Sequence, residues 1–275
     1  MSYFLTGFDH KVAVVTGAGR MSSIGRSIAV ELARAGCDVV VTGTGRPAER
    51  YPPAEQAVGW RDVESVADEI RAHGRRALAV VNDVTDAGSV DELCARVVGE
   101  LGRVDILINN AGAARGPDRV PVLDVSPDAW RHVIDTNLTG AFLMSRRFGR
   151  VMVDQGRGGS IVNISSIGGK LSPPRAAAYA ASKAGLQSLT ASMASELADQ
   201  QVRVNAICVG YVRTGRVDDL VDSGQYESIV RTNVPLGRAG TGDDIAHATV
   251  FLCSDQAAWI TGQQWNVDGG QLTVR

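Results

Sequence analysis

A run of apolar residues, a glycine-rich loop and a helical segment follow one another near the start of the chain. Residues 12–16 are rich in valine, as in strands that are buried in parallel sheets. Residues 17–25 contain three glycines, residues 26–35 have a helical pattern, and Gly36 ends it. A strand, a glycine-rich turn and a helix in this order predict a dinucleotide site, where backbone N–H groups receive the pyrophosphate charge. The alternative is a tight turn that binds nothing.

The same alternation of strand and helix continues to the end of the chain. Further strand-like runs lie at residues 38–42, 77–81, 104–108, 160–164, 202–207 and 263–270. Helical patterns separate them at residues 62–72, 89–101, 127–150, 175–200 and 243–253. We therefore predict an α/β fold of the Rossmann type, with a doubly wound, seven-stranded parallel sheet between two layers of helices. Residues 1–275 are expected to form a single domain with a flexible N-terminus at about 1–10.

The composition excludes several kinds of partner. The chain has 275 residues, 44% hydrophobic and 21% charged, and a net charge of −2, so nucleic acid and anionic membranes are not expected partners. No run of about 18 apolar residues is present, and residues 1–10 lack a signal-peptide layout. Cys37, Cys94, Cys208 and Cys253 are far apart among apolar neighbours, which predicts buried free thiols, no metal site and a cytoplasmic protein.

Two residues at helical spacing suggest acid–base chemistry. Tyr179 and Lys183 are four positions apart in an alanine-rich helical segment, so they project side by side. An ammonium favours the ionised form of a neighbouring phenol, which suits a proton donor and acceptor near pH 7. The plain alternative is a surface pair on an amphipathic helix. Ser166 favours the catalytic interpretation, because it follows a predicted strand and active-site groups collect at strand ends in parallel sheets.

Together with Asn109-Asn110-Ala111-Gly112 and Asn137-Leu138-Thr139-Gly140, these residues resemble the short-chain dehydrogenase/reductase family over residues 11–270. The resemblance is to its 3-oxoacyl-reductase-like branch and implies hydride transfer between a nicotinamide and a ketone or secondary alcohol. It implies that Tyr179 exchanges the proton, Ser166 binds the substrate oxygen, and Lys183 assists Tyr179 and holds the nicotinamide ribose. Asn137 would kink its helix and hold a proton-relay water through its backbone carbonyl. A small carbonyl or alcohol substrate and a homotetramer are also implied.

The resemblance also implies an NAD or NADP site. The candidate cofactor-binding residues are Gly17, Gly19, Arg20, Ser22, Ser23, Ile24, Thr44, Arg46, Asp83, Val84, Asn110, Ala111, Gly112, Tyr179, Lys183, Gly210, Val212 and Thr214. By this resemblance, Asp83 would bind the adenine amino group beside Val84. Val212 and Thr214 would contact the carboxamide of the nicotinamide. The glycine loop is longer than the usual eight positions, as in the enoyl-thioester reductase branch, with Ser23 in place of a middle glycine. A hydroxyl of Ser22 or Ser23 is therefore an alternative phosphate donor.

The choice between NADP and NAD depends on the end of the second strand. NAD enzymes usually carry an acidic residue there for the ribose 2′-hydroxyl, but residues 43–46 read Gly-Thr-Gly-Arg. Asp38 lies at the opposite end of the strand. Arg46, with Arg20 in support, suits a 2′-phosphate, so we predict NADP as the preferred cofactor.

Two segments are expected to depart from the rest of the fold. Residues 46–60 form an insertion whose three prolines predict extended or turn-like structure rather than helix. It is either a solvated loop or a flap over the adenosine that slows cofactor exchange. Residues 211–235 correspond to the family's substrate lid. Arg213, Arg216 and Arg231 there either meet an acidic substrate or are ordinary surface residues.

Two other functions stay open. The first is an enoyl-thioester reductase, although that branch spaces its Tyr and Lys more widely than Tyr179 and Lys183. The second is a non-catalytic cofactor-sensing module, although such relatives usually lose one of the two residues. The substrate itself is open, because the variable residues 167–178 and the lid line its pocket. Val122, Ile167, Leu171 and Val212 suggest that the pocket is apolar.

Overall fold

A computed structural model describes residues 4–215, 217, 221 and 224–273. Its centre is one sheet of seven parallel strands in the order β3-β2-β1-β4-β5-β6-β7. The strands are β1 (Val12–Val15), β2 (Asp38–Gly43), β3 (Ala77–Val81), β4 (Ile106–Asn109), β5 (Gly159–Ser166), β6 (Val202–Val209) and β7 (Gln264–Val267). The predicted doubly wound sheet is therefore confirmed. Arg216, which the lid prediction includes, lies outside the described residues.

Helices cover both faces of the sheet. The α-helices of the described residues are α1 (Ile24–Ala35), α2 (Pro53–Ala57), α3 (Val63–Ala72), α4 (Ala87–Leu101), α5 (Pro127–Ile134), α6 (Gly140–Gln155), α7 (Gly168–Leu171), α8 (Ala177–Leu197), α9 (Gln225–Asn233) and α10 (Gly242–Cys253). Helices α1, α3 and α10 share one buried apolar cluster with the sheet, around Ile28 and Ile245. Helices α4, α6 and α8 share the other, around Leu93 and Phe148. The two clusters give the predicted three layers.

The strand order places a crevice at one edge of the sheet. From β1 the chain moves outward through β2 to β3, and then returns to β4 on the other side of β1. The carboxyl ends of β1 and β4 therefore lie next to each other while the chain leaves them in opposite directions. Open α/β sheets bind their ligands at this switch point. The glycine-rich loop after β1 and residues 110–112 after β4 both lie there.

The insertion differs from the prediction. A 3₁₀ turn (Ala48–Arg50) and helix α2 form within residues 46–60, where no helix was predicted. A proline in the first turn of a helix removes an N–H that has no partner there, so Pro53 is compatible with α2. The flexibility of residues 1–10 stays a prediction, but two of these residues contact the rest of the fold. Phe8 is 1% exposed and lies in the core, and the Thr6 carbonyl accepts a hydrogen bond from the Asp255 N–H.

The long helix predicted at residues 127–150 is interrupted. Residues Asp135–Thr139 form a π-helical turn between α5 and α6, and its closing bond runs from the Gly140 N–H to the Asp135 carbonyl. The turn contains Asn137, which is buried. A π turn shifts the following helix relative to the preceding one, and such turns are frequent at functional sites. The predicted kink at Asn137 therefore takes the form of a π turn.

All four cysteines are free and buried, as predicted. Burial raises the pKa of each thiol, to about 11 for Cys253. Among the residues with described positions, no helix has the length and apolar character that crossing a membrane requires. The same residues contain no group of three or more His, Cys, Asp or Glu side chains that could hold a metal ion.

Replacing Asp244 with Asn is expected to destabilise the protein by about 1 kcal/mol at pH 7, because it weakens the N-terminal cap of α10. Thr241 and Asp244 form a capping box, and Arg238 contacts both oxygens of Asp244 at 2.8 and 2.9 Å. The hydrogen bond from Arg238 holds the pKa of Asp244 well below its usual range. The ionised Asp244 therefore adds stability at every pH above its unfolded value of about 4, and this contribution declines as the pH falls below that value.

Urea unfolding of wild type and Asp244→Asn between pH 7 and pH 3 measures this difference. It should stay constant down to about pH 5 and shrink below pH 4. Asp243→Asn removes the same charge from the same helical turn and serves as the control. An equal loss of stability in both variants would contradict the capping explanation.

Candidate active site

Ser166 and Tyr179 meet at the carboxyl end of β5. Ser166 is the last residue of β5, and Tyr179 lies in the first turn of α8. A Cβ atom placed on Gly168 would lie 3.3 Å from both the Ser166 Oγ and the Tyr179 Cε1. The Gly168 N–H donates to Ser166 Oγ at 3.0 Å, and this oxygen lies 3.3 Å from the Val209 carbonyl, to which it donates. Glycine at position 168 therefore leaves the space between the hydroxyl and the aromatic ring open.

Lys183 lies one turn along α8 from Tyr179, as the spacing predicted. Its side chain is buried, and its Nζ lies 6.0 Å from the centre of the Tyr179 ring. Nζ donates a hydrogen bond of 2.7 Å to the Ile164 carbonyl of β5. Helix α8 thus holds the ammonium against the sheet and the phenol beside Ser166. The three groups that the sequence analysis selected lie on one edge of the sheet.

Asn137 connects the π turn to this site. Its Oδ1 accepts from the Ala113 N–H at 2.8 Å, and its Nδ2 donates to Ser182 Oγ at 2.9 Å. Ser182 Oγ in turn donates to the Tyr179 carbonyl at 2.7 Å. The side chain therefore fixes the loop after β4 and the start of α8 relative to each other. The water relay through its backbone carbonyl stays a prediction.

The glycine-rich loop lies directly against the end of β4. Gly17 has a φ of +66°, and a Cβ there would lie 2.8 Å from the Ala111 Cα. Asn110 Nδ2 donates to the Thr16 and Gly17 carbonyls, and the Ala111 N–H donates to Thr16 Oγ1. Asn110 therefore shapes the predicted phosphate loop through its side chain. Gly112, the next residue in this run, is exposed.

Several hydroxyl and guanidinium groups of the loop make contacts other than the predicted ones. Ser23 Oγ donates to the Arg20 carbonyl at 2.8 Å and accepts from the Arg26 N–H at 3.2 Å, so it caps α1, which begins at Ile24. The role of Ser23 as a phosphate donor stays a prediction, because its hydroxyl proton points to the Arg20 carbonyl here and would have to turn toward a phosphate. Arg20 Nη1 donates to the Gly215 carbonyl, which links the loop to the lid, and the pairing of Arg20 with a 2′-phosphate stays a prediction. Ser22 is exposed beside it.

Arg46 is held by two carboxylates that the sequence analysis did not consider. Its Nη2 lies 3.3 Å from Glu55 Oε2 and 3.6 Å from Asp62 Oδ1, and its guanidinium lies 5.0 Å from the centre of the Tyr51 ring. Its Nη1 is buried without a hydrogen-bond partner. The prediction that Arg46, supported by Arg20, would pair with a 2′-phosphate did not include these carboxylates. Thr44 lies exposed at the end of β2.

The insertion packs on the glycine-rich loop. Glu55 is 3% exposed and accepts a hydrogen bond from the Met21 N–H at 2.9 Å. Trp60 Nε1 donates to the Gly19 carbonyl at 2.7 Å. These contacts disfavour the solvated-loop interpretation. An effect of this segment on cofactor exchange stays a prediction.

The remaining candidate residues lie along the same edge. Asp83 is exposed after β3, where its Oδ1 accepts from the N–H and Oγ1 of Thr85. Val84 is buried against Gly140. Beyond β6, a Cβ on Gly210 would lie 2.6 Å from the Asp268 Cβ, and Val212 pairs with Gly240. Thr214, with its carbonyl accepting from the Val217 N–H, continues this segment.

The chain was compared with protein families, curated proteins and solved structures. A family model described as enoyl-(acyl carrier protein) reductase matches residues 17–271. The 3-oxoacyl-[acyl-carrier-protein] reductase FabG of Staphylococcus aureus is 39% identical over 94% of this chain and 97% of its own length. FabG of Escherichia coli is 34% identical over 97% and 99%. A short-chain type dehydrogenase/reductase structure from Mycobacterium marinum has a TM-score of 0.80, 32% identity and coverage of 97% and 98%.

This chain belongs to the short-chain dehydrogenase/reductase family. It is therefore an oxidoreductase that uses NAD(P). The residues of this chain fit such a cofactor at two places. The loop at Gly17 lies close to the end of β4, and two buried polar atoms, Arg46 Nη1 and Asp62 Oδ2, have no hydrogen-bond partner. The predicted preference for NADP over NAD stays a prediction. The individual residue roles are proposals that follow from this geometry.

The sequence analysis missed two residues that lie near Ser166 and Tyr179. Gln187 is buried, and its Nε2 donates to Ser165 Oγ and the Ser166 carbonyl, both at 3.0 Å. It lies four residues beyond Lys183, so continued helical spacing was a usable signal. Arg119 places its guanidinium 4.4 Å from the centre of the Tyr179 ring. It lies in an irregular segment, and no periodic pattern indicates that contact.

Proposed function

We propose that the protein is a single-domain, NAD(P)-dependent carbonyl reductase or secondary-alcohol dehydrogenase, with 3-oxoacyl thioesters as the first substrate class to examine. The observation that carries the proposal is the convergence of Ser166 Oγ and the Tyr179 ring at Gly168, beside the buried Lys183. The names of the FabG relatives support the substrate class. We further propose a homotetramer in the cytoplasm, where four free thiols are expected to persist.

The side chains divide the chemistry between them. The nicotinamide, when bound, donates or accepts the hydride. Ser166 Oγ turns its proton from the Val209 carbonyl to the substrate oxygen and stabilises the charge that develops there. Tyr179 donates a proton to that oxygen during reduction and removes it during oxidation. The Lys183 ammonium stabilises the negative charge that develops on the Tyr179 oxygen during this transfer, and the hydrogen bond to the Ile164 carbonyl keeps the ammonium in place.

A substrate panel with both cofactors tests this proposal. Oxidation of NADH and NADPH is followed with 3-oxoacyl thioesters, cyclic and aryl ketones, and enoyl thioesters. We expect turnover with members of the ketone classes and none with the enoyl thioesters. An enoyl reductase is the second candidate, favoured by the family model's description and the long glycine loop. Turnover restricted to the enoyl thioesters would replace the first proposal with the second.

A further inference from the structure

The carboxylate of Asp62 occupies an unusual place beside the glycine-rich loop. Asp62 is 6% exposed, and it precedes α3 with a φ of 51° and a ψ of −131°, without capping that helix. A Cβ atom on Gly19 would lie 1.4 Å from Asp62 Oδ1, and one on Gly43 would lie 3.5 Å from the same oxygen. The carboxylate therefore fills the space between the loop after β1 and the end of β2. Glycine at position 19 makes room for this carboxylate.

Two polar atoms in this place are buried without a hydrogen-bond partner. They are Asp62 Oδ2, which can only accept, and Arg46 Nη1, which can only donate. The two side chains are adjacent, since Arg46 Nη2 lies 3.6 Å from Asp62 Oδ1. Buried polar groups of this kind are strongly disfavoured when nothing satisfies them. A ligand that offers a hydroxyl donor and an acceptor oxygen close together would satisfy both atoms.

A ribose offers this combination, because each hydroxyl both donates and accepts. In Rossmann folds the adenosine ribose lies beside the end of β2, where an acidic residue binds its 2′-hydroxyl in NAD enzymes. This chain has no acidic residue among residues 43–46, which are the last residue of β2 and the three that follow it. Asp62 follows the insertion in sequence and lies beside the end of β2 in the fold. We propose that Asp62 binds the 2′-hydroxyl of the adenosine ribose and that the neighbouring Arg46 donates a hydrogen bond to the same ribose.

The negative charge of Asp62 is expected to influence the choice between NAD and NADP. Glu55 and Asp62 place two carboxylates around one guanidinium, so the cluster carries a net negative charge. A 2′-hydroxyl donates to Asp62, whereas a 2′-phosphate would meet the same carboxylate as an anion. Without the Asp62 charge, Arg46 has one partner fewer and is more available to a phosphate. The proposal therefore concerns the ratio of the two affinities, and it rests on the proposed NAD(P)-dependent function.

Binding measurements on Asp62→Asn test the proposal without turnover. Dissociation constants are measured by calorimetry for NAD, NADP and the NAD analogue that lacks the adenosine 2′-hydroxyl. We expect the wild type to bind the deoxy analogue about tenfold more weakly than NAD, as for a hydrogen bond to a charged group. In Asp62→Asn this penalty should largely disappear, and the NADP-to-NAD affinity ratio should rise about tenfold. Glu64→Gln neutralises an exposed carboxylate in the first turn of α3 and is the matched control.

An unchanged deoxy penalty and an unchanged affinity ratio in Asp62→Asn would overturn the proposal. Asparagine tolerates a positive φ and has the same size, so the variant is expected to fold. If it does not, the wild type alone decides, because equal affinity for NAD and its deoxy analogue would also overturn the proposal. A protein that shows the deoxy penalty but reduces no carbonyl compound would contradict the proposed function and leave the assignment of Asp62 intact.

Discussion

Replacing Tyr179 with Phe is expected to lower kcat by about 10²- to 10⁴-fold, which is the usual contribution of a positioned acid or base. The substitution removes the hydroxyl that exchanges a proton with the substrate oxygen. It keeps the ring, which packs against Ala113, Val133 and Ala178. It also leaves the Ser182 bond to the backbone carbonyl of residue 179 in place. The dissociation constant of the cofactor should therefore change little, by about twofold or less, since no described contact of the glycine-rich loop is lost.

Steady-state kinetics with the best ketone of the substrate panel, together with calorimetric cofactor binding, measure the two quantities separately. The thermal unfolding midpoint confirms that the fold is unchanged. Wild-type turnover in Tyr179→Phe would reject Tyr179 as the proton donor. A loss of cofactor affinity that matches the loss of rate would instead show that the residue acts through binding.

The parts of this site that sequence could predict are those that depend on periodicity along one element. Tyr179 and Lys183 share a face of α8 because they are four residues apart, and Ser166 ends a strand whose neighbours are parallel. Parallel strands bring their carboxyl ends to one edge, so Ser166 and the loop after β1 were expected on the same side of the sheet. These statements need no knowledge of how distant segments pack.

The contacts that sequence could not predict are those between segments with no shared period. Arg46 meets Glu55 and Asp62 because α2 and the start of α3 fold back onto the glycine-rich loop. Nothing in residues 47–59 indicates that return, and their prolines suggested an extended chain although Pro53 suits the start of a helix. The hydroxyl of Ser23 is used in capping α1, which a motif comparison with phosphate-binding loops does not reveal.

Replacing Lys183 with Met is expected to lower kcat by about 10²-fold or more, equivalent to roughly 3 kcal/mol of transition-state stabilisation. Methionine has a similar volume and suits the buried position of Lys183, which is 6% exposed. The variant loses the ammonium that lies 6.0 Å from the centre of the Tyr179 ring, and with it a positive charge near the phenol oxygen, where negative charge develops during proton transfer. Because the same oxygen carries that charge in both directions of the reaction, kcat should fall for ketone reduction and for alcohol oxidation alike.

A second lysine separates an electrostatic role from a structural one. If Lys183 only supported the fold through its bond to the Ile164 carbonyl, the loss of another lysine that is bonded in the same way would lower kcat as much. Lys170 offers a matched control, because its Nζ also donates to a backbone carbonyl, that of Gln264, and to Asn266 Oδ1. Lys170→Met removes a comparable ammonium that bonds to β7 rather than facing Tyr179. Steady-state kcat and the thermal unfolding midpoint are measured for both variants. We expect a much smaller loss of kcat for Lys170→Met than for Lys183→Met, and equal losses at equal midpoints would show that the Lys183 charge does not act on Tyr179.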